Sequence, residues 1–309
     1  MSKRESYTAA DAVPYKLFLS DAMSDIRAGR IPPAHIQFIP TNRCNLKCSF
    51  CSCDNRARGE EMPIDEIREM ASGLRAIGTE AATITGGGEP LLHKDFDDIL
   101  EAFDGIATGL VTNGTLLGYR TSLRTLTWCR ISAADERPLS GFVRKVEAAL
   151  QAAPDVDWAF SYVLSDTPNI PNLQAHIDFA EHHGFTHVRV VADLLDTDSV
   201  PMDEAREAIG ENPVVIWQPR TEHEQGMREC RIAELKPVIG PDGSVYPCCG
   251  VQYATDPPSL DLTDSMRMGH WRDMPLPAFD GRMCVRCYYG AYNRALGALT
   301  GGVEHGAFL

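Results

Sequence analysis

Between His35 and Asp193 the chain alternates short apolar runs with stretches of helical period. HIQFIPT, AATITGGGEP, ATGLVTNGT, TWCRISA, DWAFSYVL and HVRVVAD read as strands. PIDEIREMASGLRAIG, LLHKDFDDILEAF, GFVRKVEAALQAA and NLQAHIDFAEHHG read as amphipathic helices. Pro63 falls in a first helical turn, where its missing N–H is harmless. Strands separated by helices in this way predict β/α units and a parallel sheet, hence an α/β fold. In such folds ligand chemistry gathers at the C-terminal ends of the strands. Three loops fall there: the cysteine-rich stretch after HIQFIPT, the GGGEP turn and the TNG turn.

The flanks divide the chain into expected units. Residues 1–34 form an N-terminal extension in which YKLFLSDAMSDIRAG reads as a helix through Leu17, Met23 and Ile26, ending at Gly29. Residues 35–195 carry the alternation. Residues 196–229 are rich in Pro and charge, with one short apolar run, PVVIWQ, and read as a linker. Residues 230–309 lose the rhythm and hold five cysteines and turn signals at Pro241-Asp242-Gly243 and Pro257-Pro258. Such a unit builds little core and is expected to be held by metal.

Composition narrows the chemistry. The chain has 309 residues and 10 cysteines. MSKRESYTAADAVPYKLF has no apolar segment ending in a cleavage site. The expected setting is therefore the reducing cytoplasm, where thiols serve metals or catalysis rather than disulfides. A net charge of −14 argues against a long nucleic-acid partner. No apolar run approaches the length needed to span a bilayer.

NRCNLKCSFCSC spaces its first three cysteines as Cys44-x3-Cys48-x2-Cys51. A structural zinc site closes with four protein ligands, usually two separated pairs. An iron–sulfur cube takes one thiolate per iron, so three close cysteines leave one iron open. With Phe50 before the third cysteine and TITGGGEP one β/α unit later, most of the chain resembles the radical S-adenosylmethionine (SAM) enzymes. The resemblance implies a partial (β/α)6 barrel of the TIM type and a [4Fe–4S] cluster on Cys44, Cys48 and Cys51. SAM would chelate the open iron, and its reductive cleavage would yield a 5′-deoxyadenosyl radical that takes hydrogen from an unactivated carbon. An electron donor such as flavodoxin or ferredoxin is implied as partner.

The same resemblance implies the SAM contacts. Phe50 belongs to the loop signature. Gly87, Gly88 and Glu89, followed by Pro90, match a turn that holds the SAM amine through backbone carbonyls and a carboxylate. Glycine lets a backbone approach a ligand closely, and an acid complements an ammonium. Asn113 of VTNGT matches a contact to the SAM carboxylate or ribose, and Ser132 of CRIS one to the ribose hydroxyls. Cys53 is expected to be a non-ligand thiol beside the loop, and Cys129 a small buried apolar group.

CRIAELKPVIGPDGSVYPCC and the later Cys284-x2-Cys287 resemble the auxiliary-cluster domains called SPASM and twitch. In those a hairpin turning at a glycine, here Gly243, brings the first two cysteines together, and GPDGSVY has the chemistry for that turn. The resemblance implies a second [4Fe–4S] cluster on Cys230, Cys248, Cys284 and Cys287, with Cys249 able to replace Cys248. The four-cysteine count is closer to the twitch arrangement of 2-deoxy-scyllo-inosamine dehydrogenase than to the three-cysteine cluster of the molybdenum-cofactor GTP cyclase. Two distant pairs also suit a structural zinc knuckle, which leaves a zinc-binding interaction protein as the non-enzyme reading.

For the substrate, strand HVRVVAD puts His187, Arg189, Val191 and Asp193 on one face. Arg189 and Asp193 are the candidates to bind or deprotonate it. Tyr288, Tyr289 and Tyr292 are expected to pack around the last ligands. The expected activity is oxidation of a small polar metabolite such as a sugar, aminocyclitol or nucleoside. Modification of a ribosomally made peptide and redox-neutral epimerisation or isomerisation are the alternatives.

Overall fold

The computed structural model describes residues 16–57, 59–220, 223–255 and 264–302. The six expected strands are present: β1 (His35–Phe38), β2 (Ala81–Ile84), β3 (Ala107–Thr112), β4 (Trp128–Ala134), β5 (Asp157–Leu164) and β6 (His187–Ala192). A seventh, β7 (Val215–Gln218), pairs in parallel with β6. The helices are α1 (Met23–Arg27), α2 (Ile64–Ala76), α3 (Phe96–Ala102), α4 (Val143–Ala152), α5 (Ile170–His182), α6 (Met202–Ile209), α7 (Ile232–Leu235) and α8 (Gly290–Gly301). Three short strands, β8 (Val238–Ile239), β9 (Ser244–Tyr246) and β10 (Gly269–His270), complete one sheet of order β10-β9-β8-β1-β2-β3-β4-β5-β6-β7. Neighbours from β1 through β7 run parallel.

The strands alternate in burial. Ile36, Phe38, Ala82, Ile84, Leu110, Cys129, Ile131, Phe160, Val188 and Val190 join the main core with α2 to α5. The opposite parity carries His35, Gln37, Thr83, Trp128, Arg130, His187 and Arg189. A parallel sheet covered by apolar layers on both faces would lack this polar parity. Helix α2 shows how the covered face is built. Ile67, Met70, Ala71 and Leu74 recur at helical spacing and are buried, while Asp65 and Glu66 sit in the first turn, where the helix dipole favours them.

Residues 196–229 are not a bare linker. They contain α6, whose Ala205 joins the core, and β7, whose Val215 and Ile216 are buried on the edge of the sheet. Helix α6 fully buries only Ala205, with Met202 and Ile209 packed partly buried against the core, so its apolar period spans just two turns within charged sequence. Nor is the C-terminal cysteine unit separate from the sheet, because β8 pairs in parallel with β1 and extends it. The expected N-terminal helix is interrupted: residues 16–19 are helical, a turn follows, and α1 covers Met23–Arg27. Glu80 takes Ser20 Oγ at 2.7 Å and the Ala22 amide at 2.9 Å, fixing the turn before it. Leu17, Met23 and Ile26 still share one apolar cluster, with Leu296 of α8. Tyr15 and the Pro257-Pro258 turn lie outside the described residues, and no described helix is long and apolar enough to cross a membrane.

Candidate functional site

The cysteine loop leaves the C-terminal end of β1 and is fastened to the turn after β2. The Gly88 amide donates to Thr41 O at 3.0 Å and the Glu89 amide to Arg43 O at 2.7 Å. A Cβ on Gly88 would collide with the Arg43 carbonyl and lie 2.6 Å from the Asn42 carbonyl carbon. One on Gly87 would strike the Asn42 and Arg56 side chains. Gly88 therefore needs glycine for close backbone approach, and Gly87 leaves room for the side chains packed on it.

Glu89 is 2% exposed, and its carboxylate is already engaged. It accepts from Thr112 Oγ1 at 2.7 Å, the Asn113 amide at 2.6 Å and the Leu91 amide at 3.1 Å. Burial raises its pKa against those hydrogen bonds. The side chain ties the β2 turn to the β3 turn. Asn113 is likewise committed, donating to Asn45 Oδ1 of the cysteine loop at 2.9 Å and accepting from the Thr115 amide at 2.9 Å.

Cys44, Cys48 and Cys51 are partly exposed and free. Burial pushes Cys48 up to about 11, and the nearby Cys51 and Cys44 thiols add to the rise. Phe50, beside Cys51, is half-buried. Arg137, which the sequence did not single out, donates to Ser132 O at 2.6 Å and to Asn113 O. Burial lowers its pKa, while Cys48, Glu89 and Cys44 act in the opposite sense, so its guanidinium faces the thiols. Glu136 accepts from Ser49 Oγ at 2.8 Å. Residues just past β4 thus lie against the loop. Cys53 is held by Arg56, by Ser52 Oγ at 3.4 Å and by Gln252 Nε2 at 3.3 Å. Its thiol is lowered by the hydrogen bond with Cys51, and the Arg56 charge helps.

The second set converges more visibly. Cys230, Cys248, Cys284 and Cys287 line one small apolar cavity with Phe279 and Tyr289. Gly243, at φ +79°, turns the β8–β9 hairpin, and its amide donates to Gly240 O at 3.0 Å. Gly226 and Gly281 bring two segments together, since a Cβ on either would meet the other segment's backbone and Cys284 or Cys230. Burial raises all four thiols, Cys230 and Cys284 to about 11, and each is raised further by, or itself raises, another of the set. Soft thiols gathered around an apolar cavity suit a metal cluster. Cys249 points elsewhere, its Sγ 3.1 Å from Tyr289 Oη. Among the described residues, no three His, Cys, Asp or Glu are gathered tightly enough to hold a single metal ion.

A cavity of about 1820 Å³ lies on the polar face of the sheet. Ser52, Cys53 and Gly86 border it on one side, and Cys249, Cys287 and Tyr289 on the other. Arg189 lines it and donates to Ser161 Oγ at 2.8 Å. Asp193 is not among its lining residues, although the adjacent Leu194 is. Strand β6 ends at Ala192, the Asp193 amide still donates to Leu164 O of β5 at 2.9 Å, and Asp193 Oδ1 accepts the Leu195 amide at 2.9 Å. Arg130 and Arg220 also line the cavity, and neither was singled out from sequence. The signal for Arg130 was present as a charged residue inside an otherwise apolar central strand.

Residues 38–130 match the family model described as the Radical SAM superfamily. A probable GTP 3′,8-cyclase of Methanocella arvoryzae is 40% identical over 82 residues, which cover 26% of each chain. The GTP 3′,8-cyclase of Pectobacterium atrosepticum is 29% identical over 167 residues, covering 46% of this chain and 50% of that one. The chain therefore spans between a quarter and a half of these relatives. In fold it resembles Streptococcus suis SuiB bound to S-adenosylmethionine, with TM-score 0.58 and 16% identity over 87% of this chain and 71% of that chain. It also resembles native anSMEcpe with bound AdoMet and Cp18Cys peptide, with TM-score 0.55 and 17% identity over 79% of each.

Proposed function

The chain belongs to the radical SAM superfamily, and on that premise we propose that Cys44, Cys48 and Cys51 hold a [4Fe–4S] cluster with one iron left for SAM. Bound there, cluster and SAM supply a one-electron cleavage that generates a 5′-deoxyadenosyl radical for hydrogen abstraction. The observation that carries the reading is the fastening of the cysteine loop to the glycine turn, beside a cavity that begins at Ser52, Cys53 and Gly86.

Each group of the chain then has a task. Gly87 and Gly88 let backbone carbonyls approach the SAM amine. Glu89 acts through the backbone, locking the β2 and β3 turns in register. Phe50, Asn113 and Ser132 complete the SAM surround, and Arg137 faces the thiolates with a balancing charge. Cys53, held by Arg56, stays outside the ligand set. The sheet and the C-terminal segment shield the cavity, in which Arg189 orients the substrate.

The substrate in this reading is a small polar metabolite. Cys230, Cys248, Cys284 and Cys287, which line one cavity, would hold a second cluster, and with four thiolates it would serve electron transfer or support rather than substrate binding. On that basis the substrate gives one hydrogen atom to the adenosyl radical, then one electron and one proton, a two-electron oxidation. Relatives named GTP 3′,8-cyclase favour instead a nucleotide rearranged without net oxidation. The peptide bound to anSMEcpe brings in a peptide substrate as the other alternative.

The test is to reduce anaerobically reconstituted protein with dithionite in the presence of SAM and measure 5′-deoxyadenosine. Its formation, lost in Cys44→Ala, Cys48→Ala and Cys51→Ala, is expected. A four-iron protein that never cleaves SAM overturns the reading, and zinc in place of iron supports the interaction-protein alternative. Product mass lower by two hydrogens separates oxidation from a rearrangement of unchanged mass.

A further inference from the structure

The charge of the large cavity is opposite to that of the chain. The sequence has 29 Lys and Arg against 43 Asp and Glu, yet the cavity is lined by seven Lys and Arg against three Asp and Glu. Two of those three carboxylates are visibly occupied: Glu80 holds Ser20 and Ala22, and Glu224 pairs with Arg294 at 2.6 Å. The third, Asp157, also has an interaction of its own. Among the described residues, the lining therefore carries more cationic than anionic side chains.

Arg130 and Arg189 rise from adjacent registers of the polar parity. Arg130 stands beside Ala159, which pairs with His187, and Arg189 stands two residues further along β6. Nε of each has neither solvent nor a hydrogen-bond partner among the described residues. Arg130 lies over the Trp128 ring at 5.1 Å. Arg220 follows β7 with φ +57°, the one non-glycine residue among those described with positive φ. Left-handed backbone at a bulky residue is a strained conformation that tends to persist at ligand sites.

These groups repel one another. Burial, with Arg220 adding to it, brings Arg130 down to about 10; Arg189 is depressed by burial, then by Arg130 and Arg220. Lys16 is lowered by burial and then by Lys236 and Arg130, and Lys236 by burial first, with Cys249 and Cys248 opposing Arg130 and Arg189. Buried, unpaired charge of one sign destabilises a fold unless something neutralises it. SAM does not fit that need, because its sulfonium and ammonium outweigh its carboxylate. Nor does the second cysteine set, whose cavity is lined by none of Arg130, Arg189 and Arg220.

We infer that Arg130, Arg189 and Arg220 form an anion site that binds the phosphate groups of a small phosphorylated substrate. This rests on the substrate cavity proposed above and narrows its occupant. Planar guanidinium forks match phosphate oxygens in pairs, and three of them with two lysines nearby suit more than one phosphate charge. A neutral sugar or aminocyclitol would leave the cluster unneutralised, so the neutral members of the expected substrate class fit poorly.

The test is calorimetric titration of inorganic pyrophosphate, and separately of citrate, into the reconstituted full chain. Saturable pyrophosphate binding, tighter than citrate, is expected, and at least ten-fold weaker in Arg130→Met, Arg189→Met and Arg220→Met. Arg30→Met, an exposed site that is not among the residues lining the cavity, is expected to bind as wild type. Melting without anion gives a second readout: relief of repulsion leaves the three variants at or above the wild-type temperature, whereas a structural role lowers it. No pyrophosphate binding, equal or tighter citrate binding, undiminished binding in the variants, or lower melting of all three overturns the proposal. Formation of 5′-deoxyadenosine by wild type is measured separately, and its absence sinks the radical SAM reading while the anion result stands.

Discussion

Replacing Gly88 by Ala tests whether the cysteine loop and the SAM turn form one unit. The added Cβ would run into the Arg43 carbonyl and sit 2.6 Å from the Asn42 carbonyl carbon. Carbon and oxygen need about 3.3 Å, and the obstacle is backbone, so the strands of the turn must part. Parting them breaks the bonds from the Gly88 amide to Thr41 O (3.0 Å) and from the Glu89 amide to Arg43 O (2.7 Å). Each is worth about 1 kcal/mol net, and overpacking adds about 1–3 kcal/mol, for a total on the order of 3–5 kcal/mol. At this chain length that lowers the melting temperature by roughly 5–8 °C. Gly118→Ala, with nothing within 4 Å of its Cβ, is the matched control. Melting of the cluster-free protein and dithionite-driven SAM cleavage are the assays. Gly88→Ala with unchanged melting and cleavage would refute the fastening of the turn to the loop.

Gly243→Ala combines a left-handed φ of +79° with a Cβ 2.9 Å from His270 Cε1. It should destabilise by about 2–4 kcal/mol and reduce iron retained by the C-terminal cysteines, measured by metal analysis. Reconstituted wild type should carry about eight irons, and the Cys44, Cys48, Cys51 triple alanine variant about four, counted against sulfide. His176 is held neutral at about 4 by burial, with one ring nitrogen against Asn172 O at 2.8 Å and the other unpaired. The unfolded chain takes its proton first, so stability should fall by up to about 3 kcal/mol as pH drops from about 6.5 to 4; urea midpoints should show a shallower acid fall in His176→Gln.

Much of the fold was legible because its strands are strongly apolar on one parity and its helices, such as α2, carry a clear period. The C-terminal cysteines were legible for a different reason: Gly243 turns a short hairpin, so spacing alone brings Cys230 and Cys248 to one cavity. What the sequence concealed is what depends on edges. Helix α6 and β7 lie at the rim, where little is buried, and polar composition there reads as linker. The pairing of β8 with β1 is non-local, and no spacing rule encodes it. Glu89 shows a further limit. The sequence could not show that its carboxylate accepts from Thr112, Asn113 and Leu91.

Arg130 carries the same reasoning into the site. Trp128, Arg130 and Ser132 interrupt the apolar run of β4, while Cys129 and Ile131 between them are fully buried. In a strand at the centre of a parallel sheet, an arginine on one parity means that this face is not sealed by a second apolar layer. The same parity supplies His35 and Gln37 on β1, Thr83 on β2, and His187 and Arg189 on β6. Such a face lowers stability, because each of these groups is partly desolvated and several carry like charge. A fold that only had to be stable would place valine or isoleucine there. The alternation within β4 and β6 therefore marks one face of the sheet as the wall of a polar chamber, and the positive charge of that wall points to the chemistry of what fills it.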